Sequence, residues 1–301
     1  MFTNHNIISI LKTSGIEQEV NHRRVILPQL AATGIETQVI QKKTGWKVLW
    51  GPVYAKDIPE FVRKNFSKTA QIRQVSFPFS QRMEMALAWA FPMSVVAAAL
   101  AFWVWKSAIL PLVLLIWVIA FLIFGAFPLY RHRLHSKGKR IGFIIFDFGR
   151  GGFQLVLIGI FLILLSAYGY FLGELSTGFL LRWGFISLIV ILTISLDLMG
   201  STPVFKSELH KDRLLKVTLD LEKCQGAAFC ETVCPINCFE VDFLQRKAAM
   251  PRSEKCIQCG ACVVQCPFDA LYFKSPDNEI IPPESIRKFK LNLIGKRLVR
   301  V

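Results

Sequence analysis

All eight cysteines of the 301-residue chain fall between Cys224 and Cys266. Two- and three-residue spacings in so short a stretch point to thiolates gathered on a metal or cluster rather than to disulfides. The second group, Cys256-x2-Cys259-x2-Cys262-x3-Cys266-Pro267, is regular. Its short loops let three sulfurs converge on one face, and the longer step turns the fourth away, with Pro267 fixing the chain after it. Four thiolates also suit a tetrahedral zinc, but the spacing and the trailing proline favour iron–sulfur ligation. The first group, Cys224-x5-Cys230-x3-Cys234-Pro235, keeps its outer and final cysteines in register, while Ala227 stands where a second cysteine belongs. Cys238 follows as the eighth.

The second run resembles that of the bacterial dicluster ferredoxins, in which three thiolates hold one cluster and the fourth crosses to its neighbour. The resemblance implies that Cys256, Cys259, Cys262 and Cys234 hold one [4Fe-4S] cluster, and that Cys224, Cys230 and Cys266 hold another. With three obvious thiolates, the latter is [3Fe-4S], or [4Fe-4S] with a substitute fourth ligand. Cys238 is the nearest substitute in sequence; otherwise it is a buried thiol packed against the first cluster. Two such clusters carry single electrons. No GxGxxG, Walker A or Ser/His/acid set accompanies them, and His5, His22, His132, His135 and His210 are too scattered for a metal site.

The elements that must position these sulfurs include a membrane region. The chain is 53% hydrophobic with a mean hydropathy of +0.43, and the apolar excess lies in residues 85–105, 107–130, 151–173 and 183–199. A helix crosses a hydrocarbon layer of about 30 Å with about 20 apolar residues, so four transmembrane helices are expected. The connection after the second span carries Arg131, Arg133, Lys137, Lys139 and Arg140, with Arg150 just before the third, which places it inside, with both termini cytoplasmic. Arg63, Lys64, Lys68, Arg73 and Arg82 before the first span agree, as do Lys206, Lys211, Arg213 and Lys216 after the fourth. Asp147 and Asp197, at the edges of apolar runs, read as headgroup-zone residues. No secretory signal is visible at the N-terminus. The net charge of +15 is spread along the chain, which excludes a nucleic-acid footprint and suits an anionic membrane or an acidic redox partner.

Residues 1–80 read as a small, partial α/β unit. A helix is expected near Asn6–Lys12, strands at Arg24–Leu27 and Trp46–Trp50, a helix over Ala31–Lys43 stopped by Gly45, and a helix start at Asp57, with Asp57 as cap and Pro59 in the first turn. His22-Arg-Arg-Val-Ile-Leu-Pro-Gln-Leu30, Gly34, Thr44-Gly45 and Trp50-Gly-Pro-Val-Tyr-Ala-Lys-Asp-Ile-Pro59 resemble the later half of the corrinoid domain of the mercury-methylation corrinoid protein family. That domain is similar to the corrinoid subunit of carbon monoxide dehydrogenase/acetyl-CoA synthase. The resemblance implies that Leu27, Pro28, Gln29 and Gly34 lie near a corrinoid, lined from the next strand end by Gly51, Pro52 and Val53. It also implies a following membrane domain and a low-potential dicluster ferredoxin. The family's cap helix, whose cysteine faces cobalt, is expected before about residue 3, and no cysteine precedes Cys224.

The expected architecture is thus multi-domain: the partial α/β unit at 1–80, a four-helix transmembrane domain at 85–200, a ferredoxin-like α+β dicluster domain at 206–282, and a basic amphipathic tail at 283–301 that lies on anionic lipid or covers the cluster fold. The expected function is electron transfer at the inner membrane, from a redox donor to a corrinoid or other low-potential acceptor protein. The alternatives are a corrinoid-binding methyltransferase or fragment of one, and a structural adaptor stapled by its clusters.

Overall fold

The computed structural model describes residues 3–131, 153–201, 215–275 and 277–289. Two compact units result, one from Met1–Val75 with Lys211–Val301 and one from Ser76–His210. The α/β residues and the cysteine-rich residues, which the sequence divides at 80 and 206, therefore share one unit. His132, Arg133, His135, Lys137, Lys139, Arg140, Asp147, Arg150, Lys206, His210, Lys211, Arg213 and the tail from Lys290 lie outside the described residues, as does the side chain of Asp197.

The first unit opens with α1 (Asn4–Thr13), α2 (Ile16–Glu19), β1 (Arg24–Leu27), α3 (Thr37–Thr44), β2 (Lys47–Trp50), α4 (Ile58–Arg63) and α5 (Ala70–Arg73). Thr3 caps α1 by accepting the Asn6 N–H at 3.2 Å, and Ile7 and Leu11, one turn apart, are buried. Strands β1 and β2 pair in parallel, Arg24 opposite Lys47 and Leu27 opposite Trp50. Gly45 ends α3 in the left-handed region, φ +76°.

Two local expectations change. The helix expected over Ala31–Lys43 is broken into a 3-10 turn, Gln29–Thr33, and α3. Ile35 is drawn wholly into the core, and the carbonyls of Ala32 and Ile35 bond outside the helix, to the amide of Gln265. Asp57 makes no side-chain cap because a 3-10 turn at Ala55–Asp57 runs straight into α4.

The second unit holds α6 (Phe79–Val104), α7 (Ile109–Gly125), α8 (Phe127–Tyr130), α9 (Phe153–Phe171) and α10 (Thr177–Ser201). Among the described residues, three stretches are long and apolar enough to cross a membrane: Phe79–Val104, Lys106–Gly125 and Thr177–Ile194; Leu157–Phe171 is a shorter apolar helix. Small residues Ala86 and Ala90 of α6 and Ala120 of α7 are fully buried among Ile116, Ile119 and Phe124, which lets the helices approach closely. The outward faces stay apolar, with Trp103, Val104 and Phe171 each at least 85% exposed. At one end Trp105 packs against Trp183, the rings tilted at 40° with centroids 5.6 Å apart, and the Arg182 guanidinium lies 5.0 Å from the Trp105 ring. At the other end Arg82 donates to the Gly125 carbonyl at 2.6 Å.

The cysteine-rich part of the first unit contains β3 (Lys216–Leu219), α11 (Phe229–Val233), β4 (Glu240–Asp242), β5 (Lys247–Ala249), α12 (Ala261–Gln265), β6 (Leu271–Lys274), β7 (Ile280–Ile281) and α13 (Pro283–Phe289). Strands β3, β6 and β7 form one antiparallel sheet, and β4 and β5 a hairpin. Pairing of Leu219 with Leu271 brings the ends of two similar halves together. Of the expected basic tail, the described part folds back: Ile286 is buried, and Arg287 donates to the carbonyls of Val264 and Cys266 at 3.2 and 2.8 Å.

One core joins the two parts of this unit, for Val233 and Ala261 are buried with Ile7, Leu27, Ala32 and Ile35. Its polar centre is Gln265, only 5% exposed. The Gln265 amide N–H donates to Ala32 O at 2.7 Å and to Ile35 O, while its carbonyl accepts from the Thr37 hydroxyl at 2.6 Å. Substituting Gln265→Leu strands these buried groups and is expected to cost about 2–4 kcal/mol. Thermal unfolding and faster proteolytic release of residues 1–75 from the full chain check this; an unchanged melting curve contradicts it.

Candidate metal centre

The cysteine-rich part is a repeat of thirty-two residues. Cys224 matches Cys256, Ala227 matches Cys259, Cys230 matches Cys262, Cys234 matches Cys266 and Cys238 matches Ala270. The backbone repeats too, since Gly226 and Gln258, Ala228 and Gly260, and Asn237 and Asp269 are all left-handed, with φ between 52° and 77°. The first two pairs lead into α11 and α12, where Ala228 and Gly260 are the N-caps, and the third follows each helix and its last cysteine. At Gly226 the turn has no room for a side chain: a Cβ would lie 2.7 Å from the backbone of Arg246 in the β4–β5 turn.

The thiols gather in two sets that exchange their last member. Cys230 has Cys266 and Cys224 as neighbours, and these three line one cavity of about 330 Å³ including its open mouth, with Ala227, Phe229, Ala248 and Phe268. Cys234 belongs with the other half: Cys259 and Cys262 each have Cys256 and Cys234 as neighbours. Cys262 also feels Cys230, so the sets adjoin. Cys238, wholly buried, hydrogen-bonds with Cys234 and Cys256 and is not among the residues that line the cavity. Among the described residues no group of three or more His, Cys, Asp or Glu is arranged to hold a single metal ion.

Electrostatics differ across the sets. Burial pushes the Cys230 and Cys259 thiols each up to about 12 and raises Cys262 as well. Cys234 is pulled down to about 6, first by the hydrogen bond from the Cys238 thiol and then, against burial, by nearby backbone N–H groups. Cys238 is raised, chiefly by its bonds to Cys234 and Cys256, and so keeps its proton as a donor. Backbone amides point at four sulfurs: Cys238 N to Cys234 at 3.2 Å, and Ala270 N to Cys266, Ala248 N to Cys224 and Gln258 N to Cys256 at 3.4 Å each. Seven soft donors, held in apolar surroundings with amides aimed at the sulfur, fit iron–sulfur clusters, whose thiolate charge such amides stabilise.

Comparison with known proteins agrees. The 4Fe-4S binding domain family matches residues 251–272. Over 60 residues, 19% of this chain, the sequence is 37% identical to a ferredoxin of Methanothermococcus thermolithotrophicus and covers 97% of it. The chain belongs to the ferredoxin family. It is also 37% identical over 65 residues, 22% of its length, to the acetyl-CoA decarbonylase/synthase complex subunit gamma of Archaeoglobus fulgidus. Over 64 residues, 19% of the chain, it is 38% identical to NADH-quinone oxidoreductase subunit I 2 of Geobacter metallireducens. The chain spans only 13% of the former relative and 49% of the latter. No solved structure matches it. The cysteine-rich part of the chain is a ferredoxin-like iron–sulfur domain.

The residues assigned to a corrinoid by resemblance are engaged in packing and in hydrogen bonds within the unit. Leu27 is buried, Gln29 is completely so, and Gln29 donates to Arg73 O at 3.0 Å. Gly34 ends the Gln29–Thr33 turn. Gly51 donates to Leu27 O at 2.9 Å, and a Cβ there would meet Ile26 at 2.9 Å, so its lack of a side chain serves strand packing. Pro52 is buried, and Val53 N–H bonds Ile72 O at 3.1 Å.

Several residues that position the site carry no motif. Lys68 and Arg73, expected only as inside-positive charges, are spent within the unit. Lys68 Nζ donates to Gln29 Oε1, Gly51 O and Thr232 O at 2.9, 3.2 and 2.8 Å, and Arg73 pairs with Glu231 at 2.8 Å. Lys247 donates to the Cys224 carbonyl at 2.7 Å. Burial first, and the Arg73 cation second, lower the Lys68 pKa from 10.5 to about 7. Between those values the unfolded chain binds more protons than the folded one, so stability rises as pH increases from 7 towards 10.5. Substituting Lys68→Met should flatten that rise; thermal unfolding of both proteins across this range checks it, and parallel curves contradict it. Substituting Gly226→Ala should destabilise the turn by about 1–3 kcal/mol and lower bound iron, read by iron-to-protein ratio and melting temperature together.

Proposed function

We propose that this protein is a membrane-anchored dicluster ferredoxin that passes single electrons to a low-potential acceptor protein. The observation that carries the reading is the sorting of seven thiols into two adjoining sets. Cys256, Cys259, Cys262 and Cys234 would hold one [4Fe-4S] cluster, and Cys224, Cys230 and Cys266 a second cluster. Bound clusters of this class accept and release one electron at a time. The chain's own contribution is to desolvate the sulfurs, aim amides at them and keep the two sets adjacent, so that an electron has a short path from one to the other.

Membrane anchoring rests on the three apolar helices and on their exposed apolar faces. A fourth crossing by α9 is supported by the contact of Trp105 with Trp183. Helices α6 and α7 form a hairpin with Trp105 at its turn, so α7 ends on the opposite side. The start of α10 can meet Trp105 only if the chain between α7 and α10 returns across the layer. The aromatic and cationic cluster there suits an interface. Four crossings, with basic residues flanking the second connection, leave both termini and the cluster module cytoplasmic.

The acceptor we favour is a corrinoid-bearing protein of methyl-transfer chemistry. Residues 22–59 resemble the mercury-methylation corrinoid family, and the partial likeness to an acetyl-CoA decarbonylase/synthase subunit supports the same chemical setting. Because the strand ends are closed by packing, the α/β unit acts here as a support for the cluster module, and a corrinoid belongs to the partner. Full-length protein in detergent, reconstituted anaerobically with iron and sulfide, should bind at least about six irons per chain and bleach with dithionite. It should take up no cobalamin. About four irons or fewer, or clusters inert to dithionite, would overturn the electron-transfer reading; retained cobalamin would restore the methyltransferase alternative.

A further inference from the structure

The two thiol sets are unequal. In the set of Cys224, Cys230 and Cys266, the repeat puts Ala227 at the position of Cys259, and Ala227 lines the cavity beside the three sulfurs. Among the described residues, the rest of the lining supplies no histidine, aspartate or glutamate, and its one polar side chain is Gln225, a hard amide with little affinity for a soft thiolate-bound iron. Cys238 is not among the residues that line this cavity; it lies buried beside Cys234 and Cys256 of the other set, while its repeat mate Ala270 lines the cavity.

We infer that this cavity is a three-thiolate site for a [3Fe-4S] cluster, with no protein donor for a fourth iron. The inference rests on the two-cluster reading and deepens it. A cubane needs a terminal ligand on each of four irons, whereas a three-iron core is satisfied by one thiolate per iron. Cluster type is a main determinant of potential, so the two sites hold their electrons at different potentials, and transfer between them has a direction.

The test uses the full chain in detergent, reconstituted anaerobically, with iron counted by mass spectrometry and spins by electron paramagnetic resonance of the oxidised protein. An oxidised three-iron core is paramagnetic and an oxidised [4Fe-4S] core is not, so the wild type should show about seven irons and close to one spin per chain. Substituting Ala227→Cys should raise iron to about eight and reduce the oxidised signal at least tenfold. Substituting Cys238→Ala should leave both readings as in the wild type. A wild type with about eight irons and no oxidised signal overturns the inference, and a drop to seven on Cys238→Ala would then name Cys238 as the fourth ligand. About four irons per wild-type chain overturns the two-cluster reading itself, a result distinguishable from the others.

Discussion

Each half of the cysteine repeat sends its last cysteine to the other half, and the rest of the first unit is arranged around that exchange. Cys234 leaves α11 to join the set on α12, and Cys266 leaves α12 to join the set on α11. Neither set is complete until both halves are folded and apposed. The pairing of β3 with β6, the bond from Asp220 N to Ala270 O at 2.8 Å and the left-handed turns before both helices all act to hold that apposition. Pro235 and Pro267 fix the chain as it departs from each crossing sulfur.

The α/β unit extends the same logic. It has only two strands, too few to close a core alone, and it completes one by packing Ile7, Leu27, Ala32 and Ile35 against Val233 and Ala261. Gln265, next to the crossing Cys266, ties the two parts with hydrogen bonds on both its amide atoms. Lys68 and Arg73 do the same around α11. A fold fragment resembling a cofactor domain thereby becomes a brace that buries one side of the cluster helices. The cysteine-rich part and its brace consequently share one core, although Ser76–His210 separates them in the chain.

Much of this was legible in the residues. Thiolate spacing alone assigned the ferredoxin run, and the match of Cys234-Pro235 to Cys266-Pro267 exposed the missing position at Ala227. Strand β1 and the Gly45 stop followed from β-branched patterning and a helix-ending glycine. The apolar runs were equally plain, because hydrocarbon thickness fixes their length. What local pattern could not reveal was long-range partnership. Gln265 reads as a polar residue in a valine run, and its role depends on carbonyls more than 200 positions away. Lys68 and Arg73 read as topology signals because sequence shows charge but not the acceptors it finds. The helix expected over Ala31–Lys43 broke for a related reason, since Ile35 gains more from the shared core than from continuing a helix. Resemblance pointed to a corrinoid site at Gln29 and Gly51, yet in this chain those residues face packed protein.

The exchange of cysteines is tested most directly by paired substitutions scored as iron lost per chain. If Cys234 serves the set on α12, removing it together with Cys262 should lose no more iron than either substitution alone, whereas removing it together with Cys230 should strip both clusters. The reverse pattern, with Cys234 and Cys230 behaving as one site and Cys234 and Cys262 as two, would contradict the crossed arrangement.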